Sequence, residues 1–162
     1  TNAALKIPGL RFKAVCDIWG YNRTYAERLL KKFGHEAQPF EDYREMLSSI
    51  KDLDAVIVAT PDFKHAEHTN AALKAGKHVM CTVPMATTIK ECDKICQLVE
   101  DTGLKYMMAE TVVYSREFLF IKDMYEKGEL GKNHRKCIPP YDVSKSYTCQ
   151  SILFGEYKSP RK

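Results

Sequence analysis

An acidic side chain, Asp17, closes a short apolar segment near the start of the chain. A carboxylate at the end of a parallel strand can accept hydrogen bonds from both hydroxyls of an adenosine ribose. The same position also suits an acid that caps a helix or lies in a solvated loop. The residue type and its place therefore leave a nucleotide-binding role and a local structural role open.

A threonine–proline pair follows the most apolar stretch of the chain, and a histidine comes four residues after the proline. Thr60 offers a hydroxyl, and Pro61 stiffens the turn because it fixes φ and lacks an N–H donor. An ordinary strand-ending turn has the same composition. His65 is a candidate for proton transfer, although a lone histidine at a helix start is more often structural or solvated. His65 and His68 are spaced to share a metal ion, but no third ligand accompanies them, so no metal site is expected.

A second loop runs from Cys81 to Ala86 and contains one hydroxyl and one proline. Thr82 supplies the hydroxyl. Pro84 restricts the backbone, in either the cis or the trans form. This loop also follows a strand-like segment, so its polar atoms are candidates for a ligand site.

Strand-like apolar segments alternate with segments of helical period. A possible capping box, Thr88 to Glu91, opens one of the helices. In the last helix, Phe118, Ile121 and Tyr125 are expected to point inward. The predicted strands are 11–17, 54–60, 78–81 and 105–109, and the predicted helices are 21–33, 41–50, 63–75, 88–103 and 116–127.

This alternation predicts an α/β fold with a parallel, doubly wound sheet. Right-handed crossovers place the loops that follow the strands at one edge of such a sheet, which is where α/β proteins bind ligands. The loops expected to line the cleft follow Asp17, Thr60, Cys81 and Ala109.

The charge distribution and the cysteines exclude several classes of protein. The net charge is +4, and residues 133–162 carry six basic and two acidic residues, so residues 1–132 are balanced. A balanced body lacks the basic stripe of a dedicated nucleic-acid binder. No apolar run approaches the roughly 20 residues that span a bilayer, so no membrane partner is expected. Six cysteines without zinc spacing favour a reducing, cytoplasmic compartment.

The order and spacing of these segments resemble the glucose–fructose oxidoreductase / inositol dehydrogenase (Gfo/Idh/MocA) family. The ATP-x-x-x-H and AGKHV-x-C-x-x-P-x-A elements are fairly specific when they occur together. The resemblance covers roughly the first four-fifths of the chain. It is carried by AVCD at 14–17, YREML at 43–47, DAVIVATPDFKHAEH at 54–68, ALKAGKHVMCTVPMA at 72–86 and EKGELGK at 126–132.

The resemblance implies an NAD(P)-binding Rossmann domain over residues 1–132. By position, Asp17 would hold the adenosine ribose. Thr60, Pro61 and His65 would line the nicotinamide end of the cleft. Thr82 and Pro84 would lie against the nicotinamide ribose, and Glu110 would be near the same pocket.

One position departs from the family's pattern. The family loop typically reads Glu-Lys-Pro, and its lysine helps to bind substrate and transfer a proton, whereas this loop reads Thr82-Val83-Pro84. A valine side chain cannot hold a charge or move a proton. General acid–base help is worth about 10²–10⁴ in rate, so another group would be needed. The candidates are His65, Glu110 and Tyr114.

Both ends of the chain also depart from the family's pattern. Only 16 residues precede Asp17, and Gly9 is their single glycine. A glycine-rich phosphate turn precedes such an acid by about 20 residues, so the first strand and the phosphate loop are expected to be missing. Residues 133–162 hold three of the seven prolines and four of the seven serines. We expect them to form a poorly ordered or aberrant tail in place of the substrate domain.

Two functions of different class follow from the sequence. The first is a fragment of a nicotinamide-dependent oxidoreductase for a sugar or polyol, inactive alone and part of a possible homo-oligomer in full length. The second is a catalytically silent nucleotide-binding or protein-interaction module. The expected cofactor is NAD or NADP. Asp17 favours NAD because a carboxylate repels a 2′-phosphate, although nearby Arg23 could reverse that preference.

Overall fold

The computed structural model of the protein describes residues 4–130, in which strands and helices alternate. The expected tail, 133–162, lies outside this part of the chain, as does the boundary at residue 132. The strands are β1 (Ala14–Cys16), β2 (Gln38–Phe40), β3 (Ala55–Val58), β4 (His78–Thr82) and β5 (Tyr106–Ala109). The helices are α1 (Gly20–Lys32), α2 (Tyr43–Ser49), α3 (His65–Lys74), α4 (Ile89–Thr102) and α5 (Arg116–Glu126), with 3-10 turns at Ala4–Lys6, Asp62–Lys64 and Thr111–Tyr114.

The strands form two parallel groups that are not hydrogen-bonded to each other. β1 pairs with β2, and β4 lies between β3 and β5. In a complete doubly wound sheet the strand that comes first in the chain lies between the second and the fourth strands. The strands labelled β1 and β3 here correspond to that second and fourth strand. The break between β1 and β3 falls at that place. Within residues 4–130 the parallel α/β fold is therefore the predicted one, with the expected first strand missing from its sheet.

The main core lies between the three-stranded group and the helices α3 and α4. Leu73, Val79, Ile95 and Tyr106 are almost fully buried there. Smaller apolar clusters cover the two-stranded group. Leu47 of α2 packs against the main core and against one of the smaller clusters, so α2 connects the two groups.

The ends of α4 confirm the predicted boundary signals. Thr88 accepts a hydrogen bond from the Glu91 N–H at 3.3 Å, and Glu91 Oε2 accepts from the Thr88 N–H at 3.1 Å. This is the predicted capping box. Gly103 ends the helix at φ 65°, in the left-handed region that favours glycine.

Two predicted elements differ from the structure. The strand β1 spans only Ala14–Cys16, whereas the prediction was 11–17. The short strand β2, Gln38–Phe40, was not predicted. Pro39 lies in the middle of that strand and is typical of turns and strand edges, so the pattern gave no strand signal. The remaining boundaries agree to within a few residues.

The prediction that α5 points its apolar face inward is wrong. Phe118, Ile121 and Tyr125 are 40%, 54% and 57% exposed, and no residue of α5 is buried. The principal contact of α5 is the 3-10 turn Thr111–Tyr114. Helical period identifies an apolar face, but it does not say which part of a protein covers that face. No helix within residues 4–130 has the length and apolar character needed to cross a membrane.

Candidate functional site

The candidate site lies at the carboxyl ends of β3, β4 and β5. These strands are adjacent and parallel, so the loops after them emerge at one edge of the sheet. Thr60 follows β3, Thr82 ends β4, and Glu110 directly follows β5. Because Thr82 pairs with Ala109 in the register, Glu110 comes just after the residue opposite Thr82.

A buried histidine links the first two of these loops. The His65 ring is 1% exposed. Its Nδ1 lies 2.6 Å from the carbonyl oxygen of Pro84, and its Nε2 lies 2.8 Å from the carbonyl oxygen of Thr60. Thr82 Oγ1 is 3.3 Å from the same Nε2. The structure therefore brings together four of the predicted residues, with His65 beneath the two loops and engaged at both ring nitrogens.

The Thr60 hydroxyl is held by a histidine that the sequence argument had set aside. Thr60 Oγ1 lies 3.0 Å from Nδ1 of His68, and the His68 ring packs 4.5 Å from the ring of Tyr43. Burial lowers the pKa of His68 from its ordinary value. The unprotonated nitrogen of a neutral imidazole can accept a hydrogen bond from the threonine hydroxyl, which would fix the direction of that hydroxyl. The i, i+3 spacing of the two histidines was the available signal, because residues with this spacing lie on one face of a helix. The described residues contain no metal-binding cluster.

Contacts between α2 and α3 support this arrangement. Glu67 accepts hydrogen bonds from the Tyr43 hydroxyl at 2.9 Å and from Arg44 at 3.1 Å. A hydrogen bond from Lys64 and the one from Tyr43 lower the pKa of Glu67 to about 2. The anionic carboxylate therefore ties α2 to the helix that carries both site histidines.

The loop after β4 combines one polar and one apolar side chain. Thr82 Oγ1 donates to the Val58 carbonyl at 3.3 Å. Val83 is 44% exposed and presents only hydrocarbon. The Val83–Pro84 peptide bond is cis, which is one of the two forms that the sequence left open.

Asp17 lies just beyond β1, on the other side of the break in the sheet. Its Oδ1 accepts a hydrogen bond from the Trp19 N–H at 2.8 Å, and its Oδ2 accepts from the Asn22 amide at 3.1 Å. This geometry is compatible with a local structural role and with a ligand-binding role. Each carboxylate oxygen has two lone pairs and accepts from only one donor here, so each can accept a second hydrogen bond. The carboxylate is held in place and keeps capacity to accept further hydrogen bonds.

Arg23 contacts both the Asp17 backbone and Glu41. Its Nη1 donates to the Asp17 carbonyl at 2.6 Å, and its Nη2 lies 3.1 Å from Glu41 Oε2. The Arg23 side chain is only 21% exposed. Its charge therefore faces protein acceptors in this arrangement.

The two remaining candidates lie at and after the end of β5. Glu110 is partly buried, and its Oε1 accepts from the Val112 N–H at 3.0 Å, so it caps the following 3-10 turn. Tyr114 belongs to that turn and is 57% exposed. Of the two, Glu110 lies nearer in register to the Thr82 loop.

Three comparisons show which known proteins this chain is similar to. A family model described as "Oxidoreductase family, NAD-binding Rossmann fold" (GFO_IDH_MocA) matches residues 4–110. Inositol 2-dehydrogenase from Salmonella typhimurium (strain LT2) is 27% identical over 156 residues, which are 96% of this chain and 43% of that protein. That alignment extends into residues 133–162. A glycosyl hydrolase family 109 protein 2 from Shewanella sp. (strain ANA-3) is 33% identical over 132 residues, 78% of this chain and 29% of that protein.

Solved structures give the same picture. Scyllo-inositol dehydrogenase from Lactobacillus casei, with bound NAD(H) and scyllo-inositol, superimposes with a TM-score of 0.71 at 26% identity. The match covers 81% of this chain and 37% of that one. The chain thus spans about two-fifths of the length of these dehydrogenases.

Proposed function

The chain belongs to the Gfo/Idh/MocA oxidoreductase family, and we propose that it is the nucleotide-binding part of a nicotinamide-dependent oxidoreductase that acts on a sugar or polyol. The observation that supports this most is the buried His65, whose two ring nitrogens lie within 2.8 Å of carbonyl oxygens from two different loops. Those loops carry the Thr60 and Thr82 hydroxyls. Loops at this edge of a parallel sheet bind the cofactor in doubly wound proteins.

The residues of the chain suit a dinucleotide. Asp17 retains acceptor capacity for ribose hydroxyls, and Thr60 and Thr82 offer hydroxyls at the adjoining strand ends. Pro61, which follows Thr60, is exposed at the same edge. A bound nicotinamide ring would supply the hydride chemistry. His65 acts as a positioning residue, because both of its ring nitrogens already face carbonyl oxygens.

We propose NAD rather than NADP as the cofactor. The Asp17 carboxylate would repel a 2′-phosphate. Arg23 is the cation that could offset this repulsion, but it is engaged by Glu41 and by the Asp17 carbonyl. Releasing it would require breaking a charge-assisted hydrogen bond.

Proton transfer is the step for which the usual group is missing. Val83 stands where the family has its lysine, and its side chain is partly exposed toward solvent. Glu110 is the strongest replacement among the candidates because it follows Ala109, the register partner of Thr82, and carries a carboxylate. Tyr114 is the second candidate, four residues further along the chain.

We propose that the 162 residues are inactive alone. The chain spans 43% of the inositol dehydrogenase and 37% of the scyllo-inositol dehydrogenase. Hydride transfer needs a substrate held above the nicotinamide ring as well as a bound cofactor. The described residues form one α/β unit, and most of their candidate groups are proposed to bind the cofactor rather than the substrate. We further propose that the oxidoreductase to which these residues belong is a homo-oligomer.

A cytoplasmic location is proposed on the cysteines. The four cysteines at described positions are thiols. Disulfides are rare in reducing compartments, where thiols persist.

The test has two parts. The purified chain is titrated with NAD⁺ and NADH, and binding is monitored by ligand-observed NMR. A separate assay measures reduction of NAD⁺ with scyllo-inositol and a panel of sugars. We expect saturable but weak binding, because the glycine-rich phosphate turn is expected to be missing, and no reduction of NAD⁺. Turnover by the 162-residue chain would contradict its inactivity, and absence of dinucleotide binding would contradict the nucleotide-binding role.

The alternative function is a catalytically silent binding or interaction module. It is favoured by Val83 and by the edges of β1 and β3 that have no strand partner within residues 4–130, since an unpaired edge is a template for pairing with another chain. NAD(H) binding by the longest natural form of the protein, with no turnover of any sugar or polyol, would favour this alternative.

A further inference from the structure

The exposed indole of Trp19 has no evident role in folding. Trp19 is the N-cap residue of α1, and its side chain makes no capping hydrogen bond. N-cap positions favour Ser, Thr, Asp and Asn because a short polar side chain can accept from the first turn. Trp19 is also not in the core, since it is 62% exposed. A residue that satisfies neither the helix nor the core is a candidate for binding.

Trp19 is fixed relative to the carboxylate next to it. Its N–H donates to Asp17 Oδ1 at 2.8 Å, and its carbonyl accepts from the Arg23 N–H at 3.1 Å. The ring of Tyr21 lies 5.4 Å from the indole, at a tilt of 40°. The backbone of Trp19 and one side of its ring are therefore supported, while most of the indole faces solvent.

The chemistry beside Asp17 defines what such a ring could bind. The base of a nucleotide is attached directly to its ribose. A carboxylate that holds the ribose therefore also fixes where the base lies. Because the Trp19 N–H lies 2.8 Å from Asp17 Oδ1, the indole is attached to the backbone right beside the carboxylate and so on the side where that base would lie. Aromatic side chains bind bases by stacking, with no need for hydrogen bonds to the base edge.

We propose that Trp19 stacks on the adenine base of the dinucleotide whose ribose Asp17 holds. This assignment rests on the proposed function. It makes Trp19 a binding residue for the adenosine half of the cofactor, while the loops tied by His65 serve the nicotinamide half. Ile18, which precedes Trp19 in the chain, is 85% exposed and adds apolar surface to this segment.

The sequence provides a direct probe, because Trp19 is the only tryptophan in the chain. We would titrate the full 162-residue chain with NAD⁺, with 5′-AMP and with nicotinamide mononucleotide, and follow the fluorescence excited at a wavelength that adenine does not absorb. Binding would be measured independently by ligand-observed NMR. N-acetyltryptophanamide corrects for collisional quenching by each ligand.

The inference predicts that NAD⁺ and 5′-AMP change the fluorescence of Trp19 in a saturable manner and that nicotinamide mononucleotide does not. Trp19→Leu should weaken binding of NAD⁺ and 5′-AMP roughly 5- to 150-fold, the range expected for loss of one stacking contact. Trp19→Phe should restore part of that affinity. Tyr25→Leu is the matched control, since Tyr25 is another exposed aromatic of α1, and it should leave the affinities unchanged.

The outcomes separate this inference from the proposed function. If NAD⁺ binds but the fluorescence is unchanged and Trp19→Leu binds equally well, the role of Trp19 is overturned and the nucleotide-binding function stands. If no form of the chain binds NAD⁺ or 5′-AMP, the proposed function fails and the role of Trp19 fails with it.

Discussion

The Nδ1 atom of His65 lies 2.6 Å from the carbonyl oxygen of Pro84, a residue on a different strand loop. The other ring nitrogen lies 2.8 Å from the carbonyl oxygen of Thr60. A carbonyl oxygen only accepts, so a neutral ring donates to one of the two and a doubly protonated ring donates to both. One buried side chain thus sets the relative position of the loops after β3 and β4.

Replacing His65 by alanine should destabilise the fold by about 2–4 kcal/mol, because it leaves a cavity and removes the ring that contacts the carbonyl groups of Thr60 and Pro84. The free energy of unfolding is measured by urea denaturation followed by circular dichroism. His78→Ala is the control, since His78 is an exposed residue with one backbone hydrogen bond, and it should cost about 1 kcal/mol or less. A loss below 1 kcal/mol for His65→Ala would show that the two loops do not depend on the ring.

Stability should fall as the pH drops below about 6.5, the ordinary pKa of histidine. Burial lowers the pKa of His68 in the folded state, so the unfolded chain takes up the proton at a higher pH than the folded one. The loss is confined to the window between the unfolded and the folded pKa. Urea denaturation at pH 7.5 and at steps down to pH 5 measures it.

His68→Asn is the matched variant for this pH effect. It keeps a polar atom near the position of Nδ1, where Thr60 needs a partner, and removes the titrating group. Its stability should change less with pH than that of the unaltered protein over the same window. Identical pH profiles for the two proteins would contradict the lowered pKa.

Thr88→Ala should destabilise the fold by about 1 kcal/mol, because it removes the side-chain acceptor of the α4 capping box. Thr87→Ala is the control. Thr87 donates to the same Glu91 carboxylate at 3.1 Å, but it does not accept from the helix backbone. Equal destabilisation by both substitutions would mean that the network around Glu91 is important and the N-cap is not.

Cys81 should be the slowest of the four described cysteines to react with iodoacetamide. It is fully buried, and burial raises the pKa of its thiol, which lowers the thiolate fraction. Peptide mass spectrometry gives the labelling rate at each cysteine in native buffer and in denaturant. Native labelling of Cys81 as fast as that of the partly buried Cys16 would contradict the packing of the main core.

Local signals in the sequence predicted those parts of the fold that depend on neighbouring residues. Thr88 and Glu91 are three residues apart, and their capping box forms as expected. The apolar run of β3 and the helix that follows it were also identified, because their patterns are set within one element. Parallel pairing followed from the alternation of the two kinds of element.

Features that depend on distant parts of the chain were not accessible from the sequence. The exposure of Phe118 on α5 depends on which part of the protein packs against that helix. The periodicity of the sequence carries no information about that partner. The contact between Thr60 and His68 spans eight residues and a change of element, so spacing alone did not indicate it. The strand Gln38–Phe40 was missed because its middle residue, Pro39, is typical of turns. Its pairing with β1 is decided by tertiary contacts, which the local pattern does not show.

The central proposal, an NAD-selective nucleotide site built around Asp17, is tested by comparing the dissociation constants of NAD⁺ and NADP⁺ for the longest natural form of the protein and for its Asp17→Ala variant. Loss of a hydrogen-bonding carboxylate should weaken NAD⁺ binding about tenfold or more. NADP⁺ should bind more weakly than NAD⁺ to the unaltered protein, and Asp17→Ala should narrow the difference. Equal affinity for the two dinucleotides, or NAD⁺ binding that Asp17→Ala leaves unchanged, would contradict the account.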